Sequence, residues 1–208
     1  MSLEKNHQSE KSNPKGELTG RLHNQNNYSS LLRRFLAYMI DFFISSIFVS
    51  IIPMIITSII TQEKTFSIRT FTQMPTIWQI ICGIIAISLA IYYFCLYPMN
   101  KNHLGQTIGK RIMKLRIVNV NGQDLTYKDI FLRELLGSMI IEGETKFPSA
   151  FFRYFLYKML PAQIAGVISI VSIVLSVASI IWAIINRRHR MFHDYVGRTV
   201  VVKIVNEK

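Results

Sequence analysis

A chain of 208 residues has room for one domain, and this one is half apolar yet carries 24 Lys and Arg against 12 Asp and Glu, for a net charge of +12. The basic residues fall almost wholly between long apolar blocks, so the pI near 9.9 fits an anionic membrane leaflet far better than nucleic acid. Cys82 and Cys95 sit in one apolar block, roughly 20 Å apart along a helix, which excludes a pairing between them within the chain.

Residues 1–30 are low in hydrophobicity and hold Pro14, Gly16, Gly20 and the Gln25–Asn27 cluster, which predicts a disordered cytoplasmic tail. Residues 1–34 are too polar for the core of a cleavable signal peptide, so the first span is expected to serve as the insertion signal. That span covers about residues 35–60, long enough at ~1.5 Å per residue to cross a hydrocarbon core of ~30 Å, with Pro53 able to kink it near its outer end. Its one carboxylate is Asp41. A charge there costs on the order of 2.5–3.5 kcal/mol unless it is paired or protonated, which makes it a functional candidate.

A short polar connection, residues 61–76, leads to a second span at about 77–99, with Trp78 at one border and Tyr92, Tyr93 and Tyr97 near the other. The basic stretch Lys101–Lys128 is soluble in character. Within it Asn121-Gly122 separates two strand-like runs, Lys114–Val120 and Gln123–Tyr127, and predicts a small β-hairpin on the cytoplasmic membrane surface, to which Thr199–Val205 can add an edge. Asp129–Ile141 and Phe147–Leu160 read as amphipathic helices interrupted by Arg133, Glu134, Arg153 and Lys158. A third span follows at about 164–185, closed by Trp182.

Six Lys and Arg precede the first span, two lie in 61–76, six in 100–129 and six from Asn186 onwards. By the positive-inside rule both termini and the middle region belong in the cytoplasm, which requires an even number of crossings. The expected fold is therefore an all-α membrane protein with three strong transmembrane helices, a fourth polar or re-entrant membrane element within 129–160, and the small cytoplasmic β-hairpin. The alternative leaves both pieces of 129–160 in the interface plane and the C-terminal tail outside.

Arg34 and Asp41 are seven residues apart, on one helix face within about 20° of each other, but Asp41 lies ~10 Å deeper and needs a partner from elsewhere. Lys110, Arg111 and Arg133 are the candidates, or a proton. Two readings stay open: an ion- or proton-binding acid in a cytoplasm-facing cavity, or a carboxylate that locks the first span to the loop and tail. Gly105-Gln-Thr-Ile-Gly109-Lys110 has one residue too few between its glycines for a phosphate-cradling loop, and reads instead as a turn packed against the cytoplasmic mouth, its glycines permitting close approach. His189 and His193 stand four apart, but Arg187, Arg188 and Arg190 beside them disfavour a metal, and none is expected. Catalysis is not expected either, since no nucleophile has an evident base; nor is a cofactor.

The segment Arg34-Phe-Leu-Ala37-Tyr-Met-Ile-Asp41, the loop Gly105-Gln-Thr-Ile-Gly109-Lys-Arg with Lys-Leu-Arg-Ile-Val after it, and the ending Phe192-His-Asp194-Tyr-Val-Gly197-Arg-Thr199-Val-Val together resemble the RDD family of bacterial membrane proteins. The family is named for one arginine and two aspartates, which by motif position are Arg34, Asp41 and Asp194. The resemblance runs over about residues 30–205, departing from the family in the long polar tail and in a longer stretch at Glu142–Leu160. It implies a multi-pass plasma-membrane protein, with transport often proposed for the family and ion/proton antiport or partner regulation suggested for some members. Two functions follow as expectations. One is transport of a cation or small solute with Asp41 as the coupling acid and Arg34 and Asp194 as a switchable ion pair. The other is a non-catalytic regulator or scaffold of another membrane protein. The expected partners are the lipid bilayer with its anionic inner leaflet and either further copies of the chain or another membrane protein.

Overall fold

The computed structural model describes residues 28–62, 68–100, 103, 105–121, 125–143 and 147–204. The tail expected at 1–30 lies outside these except for its last three residues, which are anchored: Tyr28 bridges Val202, the Ser29 hydroxyl donates to the Val201 carbonyl, and Ser30 caps the first helix by accepting from the Arg33 amide.

Helix α1, Leu31–Thr61, is longer than a bilayer core requires, and it ends where Gln62 turns into the left-handed region. Its buried positions are Ala37, Asp41, Ser45, Val49, Pro53 and Thr57, a row of mostly small residues four apart, while Phe43, Ile47, Ile51 and Ile59 on other faces are exposed. A row of small side chains lets another backbone approach closely where no hydrophobic effect drives helices together. The facing helix, α3 at Thr76–Ile91, answers in kind, burying Cys82, Gly83, Ala86 and Ala90. Between them the expected polar connection contains a short helix, α2 at Ile68–Gln73, whose Phe71 packs with Met74 into the core formed by Val49, Ala86 and Phe151. The second span continues past α3 through a π-helical turn, Tyr92–Leu96, into α4 at Tyr97–Met99.

Strand β1, Leu115–Asn119, follows the five-residue helix α5, Ile108–Ile112. Among the described residues its partner is not the run predicted across Asn121-Gly122, of which positions 122–124 lie outside the described residues, but the edge expected at Thr199–Val205. It pairs antiparallel with β2, Thr199–Lys203, in the register Leu115↔Lys203, Ile117↔Val201 and Asn119↔Thr199. The physical reason lies at Thr126 and Asp129, which form a reciprocal capping box and start helix α6, Tyr127–Phe131, where the second hairpin strand was expected. The β-branched run Thr199-Val-Val-Val then supplies the strand. Leu115, Ile117 and Val201 pack onto Ala37, Cys95 and Ile130, seating the sheet on the bundle's end.

The region expected to hold two amphipathic helices holds them in altered form. Helix α6 runs into a ten-residue π-helical segment, Leu132–Ile141; the chain breaks at Glu142 and Gly143; and helix α7 spans Phe147–Met159. At one end of this unit Arg133 donates to the Thr199 hydroxyl in β2. At the other, Lys158 donates to Gln79 near the start of the second span. Helix α8, Ala162–Ile185, turns its stripe of Ala165, Ser172, Ser176, Ser179 and Ala183 inward and leaves Val167, Ile170, Val174 and Ile181 exposed. A last short helix, α9 at Phe192–Val196, leads to β2. Leu31–Thr61, Thr76–Met99 and Ala162–Ile185 are the helices long and apolar enough to cross a membrane among the described residues, in agreement with the three expected spans.

Candidate functional site

Two buried carboxylates organise the end of the bundle nearest the sheet, and they are built differently. Asp41 sits on the small-residue row of α1, 3% exposed. The loop before α5 reaches down to it. Gly109 donates its amide to Oδ1 at 2.8 Å, Tyr93 donates its hydroxyl to the same oxygen at 2.6 Å, and Thr107 donates to Oδ2. Lys110 stands 3.6 Å from Oδ2 and also donates to Thr107. The approach depends on glycine: a Cβ at Gly109 would strike the Ala37 carbonyl and come within 2.8 Å of the Asp41 carboxyl carbon. Gly105 holds a positive φ of 78° and links the second span to the sheet, its amide donating to the Pro98 carbonyl while its own carbonyl accepts from Ile117.

Of the three basic residues expected as partners for Asp41, Lys110 alone takes that place. Arg111, on the outer side of α5, is exposed. Arg133 belongs to the second carboxylate, because the π-helical segment that carries it is pinned to α9 rather than to α1: Gly137 lies so close that a Cβ would come 2.7 Å from the His193 backbone.

That second carboxylate is Asp194, with no measurable exposure. Arg34 reaches its Oδ2 from the first turn of α1, Nη1 at 3.1 Å, and Arg133 reaches its Oδ1, Nη1 at 2.5 Å. The backbone amide of Met191 also donates to Oδ2 at 3.1 Å. Arg34 spends its remaining donors on the Ser29 hydroxyl and the carbonyls of His189, Arg188 and Val201, so one guanidinium ties helix α1 to strand β2. Arg133 is further held by Glu134 at 3.1 Å. Arg190 closes the back of the cluster, donating to the carbonyls of Thr199 and Asp194. Burial by itself would raise the Asp194 pKa; the positive charges of Arg133 and Arg34, with the hydrogen bond from the Met191 amide, outweigh it and hold the carboxyl far below its ordinary range.

A family model matches residues 28–198, the stretch that contains both carboxylates, the glycine loop and Arg34. The chain belongs to the RDD family. No curated protein and no solved structure matches it. Within this RDD protein the three motif residues do not converge on one point: Arg34 and Asp194 form a direct ion pair, and Asp41 anchors a separate node one loop away.

The sequence reading missed three members of these nodes. Tyr93 passed for an interfacial aromatic, although it faces the buried row of α1. Thr107 was hidden inside the glycine loop. Glu142, 2% exposed, ends the π-helical segment and accepts from Ser179 of α8 at 2.6 Å, from the His193 amide at 3.1 Å and from His193 Nδ1 at 2.7 Å. The signal for Glu142 was a serine stripe at helical spacing in the third span, Ser172, Ser176 and Ser179, which needs a polar neighbour. His189 turns its Nδ1 to the Ala183 carbonyl, away from His193, so the two histidines share no ligand position; among the described residues no group of three or more His, Cys, Asp or Glu is placed to hold a metal.

Proposed function

We propose that this RDD protein takes part in moving a cation or small solute across the membrane, without enzymatic chemistry, and that the buried ion-pair network of Arg34, Arg133 and Asp194 is its working part. The observation that carries the reading is the completeness with which these charges are withdrawn from water: an aspartate with no exposure between two guanidiniums. Replacing such a set by packed apolar residues is often neutral or stabilising, so stability alone does not call for it. Asp41 is the weaker candidate for coupling, because each of its oxygens already has a neutral hydrogen-bond donor. In this reading it is the lock between α1 and the loop.

The reading includes four crossings with both termini cytoplasmic. Tyr127–Ile141 and Phe147–Met159 supply the fourth, a polar crossing broken at Glu142. Three contacts support this: Arg133 meets β2 at one end, Lys158 meets Thr76 and Gln79 at the other, and Tyr28 bridges Val202, which brings the two ends of the described chain together. The density of Lys and Arg at that end supports a cytoplasmic placement. A crossing interrupted beside buried charge is how many transporters place their ion sites.

The test is flux in sealed vesicles holding the purified chain, driven by Na⁺, K⁺ or pH gradients. Arg34→Lys keeps the charge but cannot reproduce the forked donors that Arg34 uses. Loss of flux with normal insertion is the expected result; wild-type flux in that variant removes the network from the mechanism. The regulator reading has one observation in its favour, the wide face of α8 around Val167, Val174 and Ile181 that no other described part of the chain covers. A foreign membrane protein recovered in stoichiometric amount with the chain from native membranes, with no flux from the chain alone, would decide for it.

A further inference from the structure

We propose that His193 is the proton-binding site of this protein, and that a proton on its Nε2 sets His193 against Arg133 for one oxygen of Asp194. The inference rests on the transport reading only in naming what couples to it. Its geometric basis is independent.

Arginine has donors and no acceptor, so an imidazole nitrogen facing a guanidinium must present its lone pair. His193 Nε2 stands 3.2 Å from Arg133 Nη2, and Nδ1 stands 2.7 Å from the carboxylate Oε2 of Glu142. The two partners together fix the neutral tautomer: hydrogen on Nδ1, donated to Glu142, and lone pair on Nε2, accepting from Arg133. Nε2 has a second neighbour, Asp194 Oδ1 at 3.6 Å. Arg133 Nη1 is 2.5 Å from that same oxygen.

Adding one proton from water to Nε2 forms an N–H bond and consumes the lone pair. The Arg133 Nη2–H···Nε2 hydrogen bond is then lost, an imidazolium faces a guanidinium, and the acceptor beside the new N–H is Asp194 Oδ1, 3.6 Å from Nε2. Oδ1 has lone pairs for both, but the two cations now repel each other across it, and that repulsion weakens the hold of Arg133 on the oxygen. The surrounding charges make the balance sensitive. Arg34, Arg133 and Arg190 stand against Glu134, Glu142 and Asp194, so the set is neutral with a neutral His193 and carries one excess positive charge with the proton bound. Glu142 stays on Nδ1 in both states and serves as counter-ion to the imidazolium. The element that feels the competition is the π-helical segment carrying Arg133, whose end at Glu142 is tied to the third span through Ser179 and Ser176. Protons have access, since the His193 side chain retains 15% of its exposure while Asp194 retains none. Histidine is also the side chain whose charge ordinarily changes between about pH 5 and 8.

The experiment is nitrogen NMR on the full chain in lipid nanodiscs with labelled histidine and arginine, titrated across pH 5–8, with His193 assigned by the signal that disappears in His193→Gln. The expected result is an Nδ1–H tautomer at high pH, protonation of Nε2 as pH falls, and an Arg133 side-chain signal that moves with the same midpoint. Glu142→Gln keeps an acceptor for Nδ1 but removes the counter-charge, and should shift that midpoint to lower pH. An Nε2–H tautomer at high pH, or a His193 titration that leaves Arg133 unmoved, overturns the proposal. Vesicle flux separates it from the reading it extends. Coupled titration of His193 and Arg133 in a chain that conducts nothing would sink transport and leave the proton switch standing; flux whose pH dependence survives His193→Gln would sink the switch and leave transport standing.

Discussion

Asp41 and Asp194 are both buried aspartates at the sheet-bearing end of one bundle, yet one is surrounded mainly by neutral donors and the other by charges. Around Asp41 a tyrosine hydroxyl, a threonine hydroxyl and a backbone amide supply the hydrogen bonds, and the lysine stands further off. Around Asp194 two guanidiniums make contact, a third donates to its backbone carbonyl and an imidazole lies beside it. The first arrangement has one stable form, because its donors cannot be exchanged without moving the loop. The second holds several cations around the same carboxylate, which is what the proposed proton response requires. In the proposed reading the two motif aspartates of this chain therefore have two different jobs, positioning and response.

The sharpest way to break the comparison is to neutralise each node in turn. Asp194→Asn leaves Arg34 and Arg133 buried without their carboxylate, and removing one partner of a buried pair costs about 3–5 kcal/mol. Denaturant unfolding in detergent should show a loss of that size, with the sheet released from the bundle. A loss under about 1 kcal/mol, the worth of an exposed pair, would mean that the network is wetter than its burial indicates. The Asp41 node breaks more gently and through its backbone. Gly109→Ala places a methyl group against the Ala37 carbonyl and the Asp41 carboxyl, and overpacking of this kind costs about 1–3 kcal/mol. Because the loop is displaced rather than the charge network, flux in that variant should keep its pH dependence even where its amplitude falls.

Much of this architecture was legible in advance, for reasons that differ by element. The three spans stood out because an unbroken apolar run of bilayer length has few other uses, and Arg34 and Asp194 were marked by motif. The pairing of β1 was legible in part: Thr199–Val205 was expected as an edge strand and is the partner, some eighty residues further on, whereas the strong local hairpin signal of Asn121-Gly122 misled, because the capping box of Thr126 and Asp129 starts a helix there. Arg133 went to the wrong aspartate because helix spacing along α1 says nothing about which segment packs there. Glu142 escaped notice because its significance depends on the π-helical path from Leu132 to Ile141, which turns it toward Ser179 and His193; the wider π turn has no simple sequence period.

The finest distinction between the nodes is their response to mild acid. Asp194 is held far below its ordinary range, which for an unperturbed aspartate lies near 3.9. A carboxylate depressed in the folded state contributes stability that is fully present above its unfolded pKa and is lost only as pH falls through the lower, folded value. Asp194 therefore contributes a constant amount from pH 8 down to about 5, and its share begins to fade only below about pH 4. Unfolding free energy measured over pH 8 to 5 should be flat as far as this carboxylate is concerned. Any step in that interval must come from another group, and His193 is the titratable neighbour placed to supply it. If the step persists unchanged in His193→Gln, the response belongs elsewhere in the chain, and Asp194 becomes a lock like Asp41, differing only in the charge of its donors.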